Sequence, residues 1–305
     1  MIRIANAPCS WGALEFDSSV EPPPASQVLD EIAESGYAGT ELGDWGFLPT
    51  TAAALIAETD RRRLEIVGAF VPVALSRADA IEEGLDRAIR TARLLADAAL
   101  VVARPSSRPI LVLSDDNAKV PTRTQRAGRI ADGDGLGAAE WDAFANRAER
   151  IARAVRDETG LRTAFHHHCA GYVETPSEID ALMSRTSADL VGLCLDTGHL
   201  LYGGGDPLSA IAKYGRRIWH VHFKDCDPRV AAQARANGWD YFTAIRHGIF
   251  SELGRGAVPF AAIRDALHAL GYSGWIVVEQ DVLPSLGTPL ASARRNREYL
   301  RQLGM

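Results

Sequence analysis

Apolar, β-rich runs alternate with longer segments of helical period along this chain, and that alternation constrains the fold more than any other feature. The strand-like runs are 2–7, 38–42, 64–70, 99–103 (ALVVA), 161–168, 190–196, 217–224 and 274–279. Helix-period segments at 25–35, 51–63, 78–97, 139–158, 177–184, 206–214, 258–270 and 289–303 lie between and after them. Several strands follow a helix-stopping glycine, as in ESGYAGTEL, ETGLRTAF and ALGYSGWIVVE. Strands that alternate with helices build a parallel sheet. Eight such units in 305 residues predict an α/β chain, a (β/α)8 TIM barrel forming a single domain over 1–305. The competitor is a doubly wound open sheet. It wants GxGxxG after the first strand, where this chain has Pro8-Cys9-Ser10-Trp11-Gly12. GGGD at 203–206 lacks the lysine and the spacing of a phosphate loop and reads as a turn.

One connection breaks the rhythm. Residues 104–138, read as a long insertion after strand four, far exceed the usual few-residue βα loop. On the catalytic face of a barrel such a segment is either a lid or a surface insertion, and both readings stand. Its arginines (Arg104, Arg108, Arg123, Arg126, Arg129) could meet an anionic partner or simply be solvated.

Charge removes several function classes. With 33 Lys+Arg against 39 Asp+Glu, the net charge of −6 is a poor start for a nucleic-acid or anionic-membrane binder. No run of about 18 apolar residues is present to span a bilayer. The N-terminus lacks the basic and apolar stretches of an export signal. Four cysteines (Cys9, Cys169, Cys194, Cys226) without CxxC spacing are expected to be reduced thiols in a cytoplasmic protein.

The chemistry is expected at the C-terminal ends of the strands, where barrel active sites are built. Strand six ends in Asp196-Thr197-Gly198-His199. Counting back by two puts Cys194 and Gly192 on the inner face with Asp196, while Val191, Leu193 and Leu195 face the helices. In strand seven His220, His222 and Lys224 share one face. Strand eight ends in Glu279-Gln280-Asp281, strand five in His166-His167-His168, and strand two supplies Glu41. Each residue alone has an ordinary structural role, because buried polar groups are usually just hydrogen-bonded. Together they form a convergent set of carboxylates and imidazoles, which suits a divalent cation: Mn²⁺ or Co²⁺, with Mg²⁺ or Zn²⁺ also compatible. Such an ion would bind the carbonyl and adjacent hydroxyl of a polyol ketone and stabilise the enolate formed on loss of an α-proton. Lys224, His199, His168 and Glu279 are the candidate acids and bases.

These residues carry a resemblance. HVHFKD (220–225), LDTGH (195–199), GYSGWIVVEQD (271–281) and GYAGTELG (36–43) resemble the sugar phosphate isomerase/epimerase superfamily built on the xylose isomerase-like barrel. FHHHCAGYVETPSEIDALM (165–183), LLYGGGDPLSAI (200–211) and GIFSELGRGAVPFAAI (248–263) are similar to its inosose dehydratase family. The match is clear from about residue 160 onward and absent over 104–138. It implies Asp196, His222 and Glu279 as metal ligands, with His199 and Lys224 among the substrate-contacting groups. Ketose epimerases of the superfamily place a glutamate at the end of strand five as fourth ligand. Here His166 or His168 stands in that position, with Glu174 as the outsider, and we take His166 as the ligand. His167 is expected to face the helices. Trp11, Glu41, Glu174 and His220 are read as substrate-binding. Losing one of two facing glutamates favours dehydration over epimerisation. Arg255 departs from the acidic residue common in its loop and leaves the exact substrate open.

The resemblance therefore implies a metal-dependent dehydratase, a carbon–oxygen lyase of inositol catabolism acting on a cyclic polyol ketone such as scyllo-inosose (2-keto-myo-inositol). Either Glu279 or a strand-five histidine would be the base, and either Lys224 or His199 the acid. A sugar isomerase or ketose epimerase is the alternative, and a non-catalytic polyol-binding barrel a third reading. The expected partner is a small-molecule polyol ketone or sugar, with no nucleic acid and no membrane; a homo-oligomer stays open.

Overall fold

In the computed structural model, which describes residues 2–12, 23–101, 108–281 and 287–305, the strands are parallel and close on themselves. They are β1 (Arg3–Asn6), β2 (Gly39–Glu41), β3 (Glu65–Val73), β4 (Ile110–Asp115), β5 (Arg162–His166), β6 (Val191–Asp196), β7 (Ile218–Phe223) and β8 (Trp275–Val278). Each pairs with its successor, and β1 closes against β8 with Arg3 opposite Trp275 and Asn6 opposite Val278. The helices are α1 (Ala25–Glu34), α2 (Ala52–Asp60), α3 (Ile81–Val101), α4 (Pro121–Arg126), α5 (Ala138–Thr159) and α6 (Pro176–Arg185). There follow α7 (Thr197–Tyr202), α8 (Pro207–Tyr214), α9 (Pro228–Asn237), α10 (Tyr241–Arg246), α11 (Phe260–Ala269) and α12 (Pro289–Gln302). Among the described residues no helix is long and apolar enough to cross a membrane. All four cysteines are free thiols.

Strand alternation sorts the core into two layers. Val191, Leu193 and Leu195 pack outward with Phe144, Phe165 and Val221 in the large layer between barrel and helices. Inside the barrel, Cys194 meets Val112, Ala164 and Trp219, and Ala5, Val67 and Val277 meet Trp275. Gly192 is required here, since a Cβ would lie 2.1 Å from the Trp219 ring. Large residues thus plug the N-terminal half of the barrel, leaving polar side chains at the opposite mouth.

Strand four corrects the sequence reading. Of ALVVA (99–103), residues 99–101 end the long helix α3, where Ala98 is buried and Leu100 is 78% exposed, and residues 102 and 103 lie outside the described residues. β4 lies instead at Ile110–Asp115, inside the segment read as a loop, with Leu111, Val112 and Leu113 fully buried. A short apolar run does not by itself separate strand from helix, and α3 simply continued into it. The long connection after strand four is real but begins later, spanning 116–137 and carrying α4.

That connection is tied down by charge. The Arg123 guanidinium, buried to 0% exposure, makes a two-pronged pair with Glu178 at 2.7 and 2.8 Å and donates to the Gly171 carbonyl at 2.7 Å. Glu178 also accepts the Glu174 and Thr175 amides at 3.1 and 2.9 Å, closing the capping box of α6. Arg126 pairs with Asp134, while Arg108 and Arg129 are spent on backbone carbonyls. Arg104 lies outside the described residues. Because removing one partner of a buried pair strands the other charge, Arg123→Met is expected to cost about 3–5 kcal/mol in urea unfolding. The double variant with Glu178→Gln is expected to recover part of that loss, and two single effects that merely add would contradict the coupling.

Candidate metal centre and active site

The DTGH turn builds one wall of the mouth. Asp196 ends β6 and caps α7, one oxygen accepting the His199 amide at 2.7 Å and the other (Oδ2) left without a hydrogen-bond partner. Thr197 Oγ1 donates to the Lys224 carbonyl at 2.7 Å and accepts its amide at 3.1 Å, locking β6 to β7. Gly198 permits that approach, since a Cβ would lie 2.9 Å from the Lys224 carbonyl oxygen. Asp225 then turns away and gathers the amides of Cys226, Gly254, Gly256 and Val258 at 2.8–3.0 Å. The loop bearing Arg255 is thereby held outside the cavity, with Arg255 itself exposed and paired to Glu252 at 3.1 Å.

Four side chains converge on one point. His166 Nε2, Asp196, His222 and Glu279 offer ligand atoms that all lie within 4.8 Å of one another. His166 Nε2 is 3.7 Å from Asp196 Oδ2, and His222 Nδ1 is 3.1 Å from Glu279 Oε1. Neither ring nitrogen of His166 has a hydrogen-bond partner, nor do Asp196 Oδ2 or His222 Nδ1, although all are buried. Leaving such atoms unpaired costs about 1–3 kcal/mol each. A shared cation removes that cost, and two carboxylates with two imidazoles suit a divalent ion of intermediate softness. Cys194 also lies close to His166 and His222, but burial pushes its thiol up to about 12.

The electrostatics of the cluster are dominated by burial and by its own carboxylates and imidazoles. Burial opposes charge on His222, yet the Glu279 and Glu41 carboxylates beside it favour the imidazolium and raise it well above its ordinary value. Burial opposes ionisation of Glu279 too, but His222 and Lys224 hold its carboxyl well below the usual range. Asp196 is raised, chiefly by burial. Burial holds His166, His167 and His168 down to about 3, so all three are neutral imidazoles, as a ligand or base must be.

Beside this cluster, Lys224 Nζ sits 3.3 Å from Glu279 Oε2, 3.2 Å from Asp281 Oδ2 and 3.4 Å from His199 Nε2. Burial opposes its charge, but Asp281 and Glu279 keep it an ammonium. His168 Nδ1 lies 2.6 Å from the Cys169 carbonyl, which can only accept, so its Nε2 carries the lone pair and faces Tyr241 Oη at 3.4 Å. The His168 and His199 rings lie 3.8 Å apart.

These groups open into a cavity of about 280 Å³ lined by Glu41, Phe70, His166, His168, Lys224, Tyr241, Glu279 and Asp281, with Asn117 and Lys119 from the connection after β4. No arginine is among its described lining residues. A larger cavity, about 670 Å³, lies at the strand starts around Trp219 and Trp275 and touches none of the four converging residues.

The remaining sequence candidates fall elsewhere. Trp11 is buried and donates to Glu31 Oε2 at 2.5 Å, away from the cavity. Glu174, read as substrate-binding or an outside ligand, is neither in this arrangement: its carboxylate accepts the Gly128 and Ala170 amides at 2.6 and 2.8 Å and clamps two loops. His167 accepts the Asp196 amide at 3.2 Å and does not line the cavity. His220 lies below the mouth, against Glu41. Sequence reading gave no role to Tyr241, Asn117 or Lys119. Their signal was the length of the segments 104–138 and 224–259, each far beyond an ordinary βα loop.

The family model for the xylose isomerase-like TIM barrel matches residues 29–303. The chain belongs to this family. It is 31% identical to the inosose dehydratase of Geobacillus kaustophilus over 99% of this chain and 94% of that protein. It is 33% identical to the rhizopine catabolism protein MocC of Rhizobium meliloti, over 99% of this chain and 88% of that one. Among solved structures, the 3-keto-D-glucoside 4-epimerase YcjR of E. coli superposes with a TM-score of 0.67 at 15% identity, covering 99% of this chain and 100% of that one. An L-ribulose 3-epimerase does so with 0.67 at 18%, covering 99% and 94%. At such identities the likeness of these two speaks for the fold alone.

The Glu174 clamp makes a pH prediction. Burial raises its carboxyl to about 7 against an ordinary 4.5, despite the two amides. The folded state therefore binds its proton more tightly than the unfolded state. The resulting stability is full below about pH 4.5 and is lost as pH rises through about 7. Relative to Glu174→Gln, the parent chain is expected to lose about 1.4 kcal/mol per pH unit across that window in urea titrations. A flat difference would contradict the assignment.

Proposed function

We propose that this enzyme is a metal-dependent hydro-lyase that removes water from a cyclic polyol ketone such as scyllo-inosose (2-keto-myo-inositol). The observation that carries the reading is the convergence of ligand atoms on His166, Asp196, His222 and Glu279, the first three of them buried without hydrogen-bond partners. These four would hold the ion, Mn²⁺ or Co²⁺ fitting the mixed oxygen and nitrogen set best. When bound, the ion supplies Lewis acidity to a substrate carbonyl oxygen, lowering the cost of negative charge there.

The chain's own residues supply the proton transfers. Glu279 reaches the cavity but is shared between the cluster and Lys224, so His168 is the freer base for the proton α to the carbonyl. Its Nδ1–H is committed to Cys169, which leaves the Nε2 lone pair facing the cavity side. Lys224, held at the floor by Glu279 and Asp281, donates a proton to the β-hydroxyl as its C–O bond breaks; the proton taken by His168 is released to solvent, and solvent recharges Lys224. Water leaves, and the enol that forms tautomerises to the diketone. No described lining residue is an arginine, which favours a neutral polyol over a carboxylate-bearing substrate. The kinship with inosose dehydratases over nearly the whole chain supports the same substrate class. The reading carries with it a role in inositol breakdown and a cytoplasmic setting.

The test uses metal-stripped protein and 2-keto-myo-inositol, followed by NMR in D₂O. Water loss is expected only after Mn²⁺ or Co²⁺ is restored, and His166→Ala is expected to lower the rate at least about tenfold. Deuterium exchange without elimination would make the chain an epimerase or isomerase instead. Absence of turnover on any inosose, with or without metal, would overturn the proposal.

A further inference from the structure

We propose that Glu41 is a positioning residue that fixes the ring of His222 so that its Nδ1, rather than its Nε2, faces the four-residue cluster. The inference rests on the metal-site reading above and deepens it. Glu41 Oε1 lies 2.9 Å from His222 Nε2 and 2.8 Å from His220 Nε2, and all three side chains are buried. One Glu41 oxygen thus faces two imidazole nitrogens at hydrogen-bond distance. As a carboxylate it only accepts, so each facing Nε2 must carry a proton. With Nε2–H committed, Nδ1 is the single His222 position for which a proton and a metal ion compete. A carboxylate behind a ligating histidine fixes the tautomer and raises the basicity of the ligand nitrogen.

The backbone is built to put Glu41 there. The β2–β3 register shifts between Thr40 and Glu41, so that Glu41 falls opposite Gly68 instead of the next residue in step. Such a bulge re-aims a side chain at a functional site. Gly68 leaves the space: a Cβ there would lie 3.4 Å from Glu41 Oε1 and 2.9 Å from the Ile110 carbonyl. His220 donates to the same oxygen from below and holds it in place. Without Glu41, Nε2 loses its acceptor. The opposite tautomer, Nδ1–H donating to Glu279 Oε1 at 3.1 Å, then becomes the better state. That rearrangement would remove two ligands at once.

Glu41, His220 and His222 also lie close enough to hold an ion of their own, so the experiment must count ions. The metal-stripped chain and the Glu41→Ala and Glu41→Gln variants are titrated with Co²⁺, following stoichiometry by calorimetry and the ligand-field absorption band. The expected result is one ion per parent chain, with affinity falling about 10–100-fold in Glu41→Ala and the band altered. Glu41→Gln, which keeps an acceptor oxygen, should lose less, and it carries the test if Glu41→Ala does not fold. Unchanged affinity and spectrum in both variants would overturn the proposal. Two ions in the parent chain and one in the variants would also overturn it, in favour of a second metal site. A parent chain that binds no Co²⁺ would instead defeat the metal-site reading beneath it.

Discussion

Buried polar atoms without partners are expensive, and in this barrel they are concentrated at one point. His166, Asp196 Oδ2 and His222 Nδ1 are each buried and unpaired, and Glu279 Oε1 faces the same space. Much of the surrounding structure follows from holding these atoms still. Asp196 uses its other oxygen as a helix cap, Thr197 ties the turn to Lys224, and Gly198 lets the two chains touch. Asp225 fixes the next loop through four amides. The DTGH and HVHFKD stretches are therefore tied together, with Asp196 and His222 facing the cluster and Thr197 joining the strands that carry them.

A second set of buried charges organises the cover of the cavity. Arg123 and Glu178 join the connection after β4 to the N-terminus of α6, and Glu174 clamps Gly128 to Ala170. From this anchored connection Asn117 and Lys119 line the cavity. Its arginines are engaged by protein carbonyls and carboxylates, and none is among the described residues that line the cavity.

Much of the fold was legible because barrel strands and helices carry different hydrophobic periods. Strand four was misplaced because ALVVA is apolar, short and contains two valines, yet its first three residues end a 21-residue helix, while ILVLSD stood inside a polar, proline-bounded segment. At the site, inward alternation on β6 and β7 was enough to bring Asp196, His222 and Lys224 to one mouth. Three consecutive histidines gave no such resolution. Period-two geometry separates His167 from its neighbours but leaves His166 and His168 on one face. Only their depth and partners distinguish them: His166 is unpaired among the cluster, and His168 is held by the Cys169 carbonyl at the rim. Glu174 and Trp11 misled because a polar or aromatic residue near a motif is as readily consumed by backbone amides or a neighbouring helix. Tyr241 comes from a helix far along the chain from the motifs it faces, which no local pattern reveals.

The most direct measurement is an anomalous-scattering map from crystals grown with Mn²⁺. The account predicts one peak bounded by His166 Nε2, Asp196 Oδ2, His222 Nδ1 and Glu279 Oε1, at distances of about 2.0–2.2 Å typical of such ligands. A peak coordinated by His168 or Glu174 in place of His166 would contradict it. So would a fully occupied ion elsewhere with these four atoms still unbridged.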